Sequence, residues 1–445
     1  MRKALPLAVR ATAAVVGVAM LLGAAACSTD KILKVNDPDV SNPAAFGGKA
    51  GLPALLGAAI GDFQVGFSGT GVGNEGLVNL TGLLSDEFFF TETFPTRVEI
   101  DRRDMKEVNG TLLGTFFDAS KARESAARAA AGYAQFDPTD AGRAEALSLE
   151  GYALIFLAEA YCNGVPISTI DDNGLIHYGT PQSNAQLYHA AIADLDSARK
   201  IAIAAGDANR EYLARVGEAR AMVDSSRSNL AAAAAIVAPV PTSFQYKIFH
   251  SSNTPRQQNG LWELMFNEGR WVQANREGTN GLPFRNGDPR TPFITVPGGT
   301  FTGATFFGPV KASARDSAVI LSSGVEARLI EAEALLETGS ATFIAKLNTL
   351  RAGVTGLAPL VDPVTTTSRQ NLLFSERAFW LYATGHRLGD LRREIRQYGR
   401  GAETVFPTGP YTGRGGGVYG TAVNFPVPFE ERNNPGFPGC TDRAA

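Results

Sequence analysis

The sequence predicts a mainly α protein: tetratricopeptide-like stacked helical hairpins that carry long, loop-rich insertions. Three observations predict it. Proline-free segments rich in Ala, Leu, Glu and Arg recur from residue 111 onward, mostly in pairs split by a short Gly or polar turn; this is helix-forming composition. In one of them, Ala144, Leu147, Gly151, Leu154, Ala158 and Tyr161 fall at 3-4-3-4-3 spacing, one stripe of one helix whose small residues let a neighbour pack close. Between and after the helical blocks, residues 240–323 and 397–445 are dense in Pro, Gly and aromatics.

Taken in order, Arg2, Lys3 and Arg10 precede an apolar run from Ala11 to Leu22, and Ala24, Ala25 and Ala26 lead into Cys27. This is an export signal, not a domain, and the run is shorter than the roughly 20 residues a membrane span needs. A cysteine directly after small residues looks like a bacterial lipobox, in which Cys27 is acylated and becomes the new N-terminus. Ala24 departs from the usual Leu at that position. Ser28, which is not Asp, gives no inner-membrane retention signal, so a lipid-anchored, surface-exposed outer-membrane location is expected. The expected domains are therefore a signal peptide at 1–26 and one body at 27–445, with an N-terminal part to 239 and a C-terminal part from 240.

Residues 28–45 read as an extended tether, because Asp37-Pro38 and Asn42-Pro43 break a helix. Residues 46–62 read as helix. Residues 66–82 read as glycine-rich loop; Gly71, Gly73 and Gly76 have G-x-G-x-x-G spacing without the strand–helix context that gives it meaning. Helices are expected at 111–134, 141–161, 184–205, 210–223, 227–238, 324–337, 341–352 and 369–384. Their ends are marked by Asn163-Gly164 with Pro166, by Gly206, by Pro239 with Pro241, by Gly339 and by Gly385. The strict 34-residue tetratricopeptide consensus is absent, so the likeness is one of arrangement.

Composition excludes several functions. The chain has 41 Lys+Arg and 44 Asp+Glu; the signal holds three bases and no acids, leaving 38 against 44, near −6. A mildly acidic body without a basic stripe argues against nucleic acid. His177, His189, His250 and His386 show no metal-ligand spacing, no G-x-S-x-G elbow occurs, and no cofactor motif is present. The expectation is a binding protein, not an enzyme. A hydrolase built on paired carboxylates is the reading from another class. Cys162 and Cys440 are the two remaining cysteines of an exported chain and are expected to form a disulfide.

The segment Leu373–Arg393 carries Glu376-Arg377, Gly385, Arg387, Asp390-Leu391 and Arg393, and in this it resembles a hallmark of the SusD/RagB family of outer-membrane nutrient-uptake lipoproteins. Thr384 stands where the family often has an acid. Glu326–Leu335, Tyr161–Pro166 and Asn424–Pro438 resemble further family stretches, in the family's order. The resemblance implies a SusD-like fold and a protein that captures an oligosaccharide, or a peptide as RagB-type subunits do, and passes it to a TonB-dependent, SusC-like transporter. An adaptor of tetratricopeptide type is the alternative. By their chemistry Glu376, Arg377, Arg387 and Asp390 read as structural, pairing with one another or capping helices. Sugar rings stack on aromatic faces flanked by polar groups. The ligand candidates are Trp262 and Trp271 in the loop-rich insert, and Phe89, Phe94 and Arg97 after Ser85-Asp86-Glu87.

Overall fold

The computed structural model describes residues 48–171 and 174–445; the signal segment, Cys27 and the extended 28–45 stretch lie outside them. The described residues belong to one compact unit. Helix α1 (Leu52–Ser68) is followed by α2 (Leu77–Leu84), strand β1 (Phe88–Phe90) and α3 (Pro95–Asp101). The helical stack proper is α4 (Gly110–Phe136), α5 (Ala141–Ala160), α6 (Asn184–Ala205), α7 (Ala208–Ser225) and α8 (Leu230–Val237). Four two-residue strands, β2 (Val165–Pro166) to β5 (Pro181–Gln182), lie between α5 and α6, with β3 at Thr169–Ile170 and β4 at Ile176–His177. α1 packs on α4, and from α4 to α8 each helix packs on its predecessor.

Caps fix where the helices start. Asn109 accepts the amides of Thr111 and Leu112 at 3.1 and 3.2 Å, Asp140 and Asp207 cap α5 and α7, and Ser183 with Gln186 forms a capping box on α6. Each supplies an acceptor to amides that have no intrahelical partner. α6 ends at Gly206 with φ +69°, the left-handed stop that glycine allows. Close packing is literal at Gly151, where an added Cβ would lie 2.7 Å from Leu195 Cγ. The small stripe thus seats α6 against α5.

The insert contains β6 (Gln245–Ile248), the short helix α9 (Gly260–Trp262) running into a π turn at Glu263–Asn267, β7 (Trp271–Gln273), β8 (Phe293–Val296), β9 (Phe306–Pro309) and β10 (Val319–Ser323). Its strands pair only in antiparallel twos: β1 with β7, β6 with β10, and β8 with β9. α10 (Gly324–Glu337) and α11 (Thr342–Ala352) then form another hairpin, with α10 packed on α8. α12 (Thr366–Trp380), α13 (Arg387–Tyr398) and α14 (Ala402–Val405) complete the set. One apolar core runs from Leu52 to Phe437 through stack, insert and C-terminal segment.

Three expectations are corrected. The 66–82 stretch is loop only in its first half, because Gly76 leads into α2. The first helix is longer and later than 46–62, and Gly48–Ser68 is apolar enough by composition to span a membrane; its apolar face is instead buried on α4, as a core helix. α12 stops at Trp380 rather than 384, because the amide of Ala383 turns out to donate to Glu87 Oε1 at 2.9 Å and both Ala383 and Gly385 take positive φ.

Candidate functional site

β1 and β7 bring the two sequence-predicted binding regions onto one face. Phe88 pairs with Gln273, Phe89 with Val272 and Phe90 with Trp271. The ladder extends where Thr91 donates its amide to Arg270 C=O at 2.9 Å. Beyond it the chain continues to Phe94 on one side and runs back to Glu268 on the other.

Exposed rings on this face are each backed by an arginine. Phe94 is 47% exposed, and the Arg97 guanidinium lies 5.0 Å from its centroid. Phe301 is 60% exposed, with Arg270 at 4.9 Å. The half-buried Trp262 has Arg315 at 4.9 Å. Carboxylates aim the guanidiniums: Glu75 pairs with Arg97, while Glu268 and Glu92 lie 3.2 and 3.7 Å from Arg270. The loops are locked to the ladder, since Phe301 donates its amide to Gly269 C=O at 2.8 Å and Thr302 Oγ1 donates to Thr91 C=O at 3.0 Å. Burial pushes the Glu75 carboxyl up, against the pull of Arg97. A cation behind a ring holds it in place by attraction to its π face and leaves the other face for a ligand.

The candidates divide. Phe94 and Trp262 present ring surface. Phe89 is half-buried with Tyr411 6.1 Å away. Trp271 is corrected: it is fully buried and meets Phe90 edge-on at 6.1 Å. As cross-strand partners, Phe90 and Trp271 point to the same side of the ladder, and that side is the core. Arg97 is also corrected. It is buried and spent on Glu75 and Phe94, so it positions a ring and is not a free ligand contact. Phe301 and Arg270 were missed as candidates; only the strand register brings them beside Phe94. Among the described residues, no group of His, Cys, Asp and Glu is placed to hold a metal ion.

Beneath the face lies a buried polar floor. Asp101 accepts the Phe90 amide at 3.2 Å and the Tyr411 hydroxyl at 2.7 Å, and Glu277 accepts the Tyr419 hydroxyl at 2.6 Å. These bonds tie the C-terminal segment to β1 and the insert. The motif residues are likewise internal. Arg377 pairs with Asp390 at 2.8 Å, Glu376 with Arg290 and Arg351 at 2.7 Å each, and Arg387 with Asp86 at 2.6 Å. Cys162 and Cys440 are joined as a disulfide with Cα atoms 6.0 Å apart.

The buried acids predict a pH dependence. Burial raises Glu277 to about 7 and Glu87 to about 8 from 4.5. The native state keeps these protons after the unfolded chain has released them, so the stabilisation is full below about 4.5 and is lost as pH rises through 7 to 8. Buried His250, lowered to about 4 from 6.5, acts in the opposite sense and only below pH 6.5. The melting temperature should therefore fall between pH 6.5 and 8. Glu87→Gln, which keeps the acceptor for Ala383, should flatten that fall; thermal melts across the range check both, and a flat profile for the parent would contradict the assignment.

No family model and no curated protein matches the sequence. Solved structures do match. A SusD superfamily protein from Bacteroides fragilis is 13% identical at a TM-score of 0.66, covering 88% of this chain and 99% of its own. One from Parabacteroides distasonis is 13% identical at 0.65, covering 88% and 99%. A SusD-like carbohydrate binding protein from B. fragilis is 16% identical at 0.61, covering 88% and 99%. The chain has the SusD fold: mainly α, over nearly the full length of those proteins.

Proposed function

We propose, from the SusD fold as premise, that this chain is a surface lipoprotein that captures an oligosaccharide nutrient and hands it to a TonB-dependent, SusC-like outer-membrane transporter. The observation that carries the reading is the pair of arginine-backed rings Phe94 and Phe301 on the face organised by β1 and β7, with a third arginine-backed ring, Trp262, in the insert. Apolar ring faces flanked by fixed polar groups suit the alternating CH faces and hydroxyl edges of a sugar. That two solved neighbours are described as carbohydrate binding proteins supports the same ligand class. The lipobox at Cys27 supports the location, with membrane contact by lipid alone. The motif residues, paired inside the fold, serve the scaffold, and no catalytic role is assigned to them.

The test is calorimetry on the soluble chain from Ser28, titrated with a panel of neutral oligosaccharides and of oligopeptides. Saturable glycan binding is expected, and Phe301→Ala and Phe94→Ala should each weaken it by about 3- to 10-fold, the size of an aromatic stacking contribution. Trp271→Ala should instead lower stability. Peptide binding in place of glycan binding would give the RagB-type role. Binding of neither would favour the tetratricopeptide-type adaptor.

A further inference from the structure

A separate cleft, of about 650 Å³, is lined by α10, α11 and Trp380, the last residue of α12. It shares no residue with the aromatic face, and its volume is that of a small-molecule site. Its walls are apolar: Val325 and Leu335 of α10, Leu350 of α11 and Val354 just beyond it join the tryptophan. Trp380 is half-buried. Its Nε1 donates to Glu376 Oε2 at 3.2 Å, and the Arg290 guanidinium stands 5.1 Å from its ring centroid. Neither partner lines the cleft, so the ring is fixed from outside it. A surface held in this way is already ordered when a ligand arrives, which lowers the cost of binding.

The charged part of the lining has one sign. Arg328 of α10 and Lys346 of α11 line the cleft with three threonines, and no carboxylate or amide side chain is among its lining residues. Both cations pair with one acid, Glu331, which lies outside the lining: Lys346 Nζ is 2.7 Å and Arg328 Nη2 3.0 Å from its carboxylate. Two cations on one carboxylate leave a positive excess among the three groups. The Lys346 side chain keeps 33% of its surface exposed, and an ammonium has three donors, so its bond to Glu331 leaves others for a ligand. An apolar body would gain by burial on Trp380 and the aliphatic walls, and a carboxylate would complete the charge. A sugar would instead turn hydroxyls toward walls that cannot bond them.

We propose that this cleft binds an apolar monocarboxylic acid, with its hydrocarbon body against Trp380 and the aliphatic walls and its carboxylate at Lys346 and Arg328. The proposal does not rest on oligosaccharide capture at the aromatic face. The test is calorimetric titration of the soluble chain from Ser28 with octanoate and with 1-octanol, which has the same chain length without the charge. Octanoate should bind saturably and roughly tenfold more tightly than 1-octanol, the size of a hydrogen bond to a charged group. In nuclear magnetic resonance it should shift the indole signal of Trp380, the one lost in Trp380→Phe. Lys346→Gln should weaken octanoate roughly fivefold or more and leave 1-octanol unchanged. Ala345→Trp, at an exposed position of the lining, fills the cleft and should abolish binding at an unchanged melting temperature. Phe301→Ala should leave octanoate binding as it is. No saturable octanoate binding, equal binding of octanoate and 1-octanol, an unmoved Trp380 signal, or binding that survives Ala345→Trp would overturn the proposal.

Discussion

Replacing Asp86 with Ala is expected to destabilise the fold by about 3–5 kcal/mol, the cost of removing one partner of a buried ion pair. Asp86 is 1% exposed and Arg387 6%. The contact is bidentate, with Arg387 Nε and Nη2 donating at 2.6 and 3.0 Å, and the same carboxylate accepts the Leu282 amide at 2.8 Å. One side chain therefore joins the α2–β1 junction, the start of α13 and the insert. Its loss leaves a buried guanidinium without the carboxylate it is bonded to and an insert amide without an acceptor. Burial alone would lower the Arg387 pKa, but the charge and hydrogen bonds of Asp86, with the charges of Glu394 and Asp390, together raise it, so the guanidinium stays charged. Urea denaturation of Asp86→Ala, Arg387→Ala and the double variant gives the coupling. The double variant should cost at least about 2 kcal/mol less than the two singles added together. Single effects below about 1 kcal/mol would mean that water compensates the loss and that the motif does not anchor the insert.

The same pair shows what the sequence made legible and what it did not. α6 and α10 lie at the predicted 184–205 and 324–337, because each has a capping residue and a local pattern that agrees with its environment. α13 had no such signal. Its buried positions are Arg387, Asp390, Arg392, Arg393 and Glu394 beside Leu388, Gly389 and Leu391, so the apolar periodicity that reveals a helix is missing. Those charges are inside because partners far along the chain meet them: Asp86 for Arg387, and Glu333 for Arg393. The glutamate of Glu376-Arg377 is likewise satisfied by Arg290 of the insert. The candidate site was half legible for the same reason. Aromatic content marked the two regions, but Trp271 is core and Phe301 exposed by virtue of register and loop closure, which pair residues about 180 positions apart, as at Thr91 and Arg270. Composition cannot state that pairing.

Removing the Cys162–Cys440 disulfide is the other large effect, and its size follows from the chain length it closes. The cysteines are 278 residues apart, and in the chain-entropy model a loop of this length contributes roughly 5 kcal/mol. The bridge stands beside hydrogen bonds that survive reduction: Cys162 N–H to Phe425 C=O and Thr441 N–H to Asn163 C=O, each at 2.8 Å, and Asn163 N–H to Asp442 C=O at 3.2 Å. The native structure should therefore persist without the disulfide, while the unfolded chain gains freedom. Cys162→Ala with Cys440→Ala should lower the denaturation midpoint strongly and leave the α-helical circular dichroism unchanged at room temperature. Local exchange protection should fall most over residues 436–445, which run past the bridge. An unchanged midpoint would mean that the hydrogen bonds alone hold the tail. Two free thiols in the denatured, unreduced protein would mean that the bridge does not form. The contrast also links compartment to stability. A chain retained in the reducing cytoplasm should match the double alanine variant, whereas the exported chain should show the full stability.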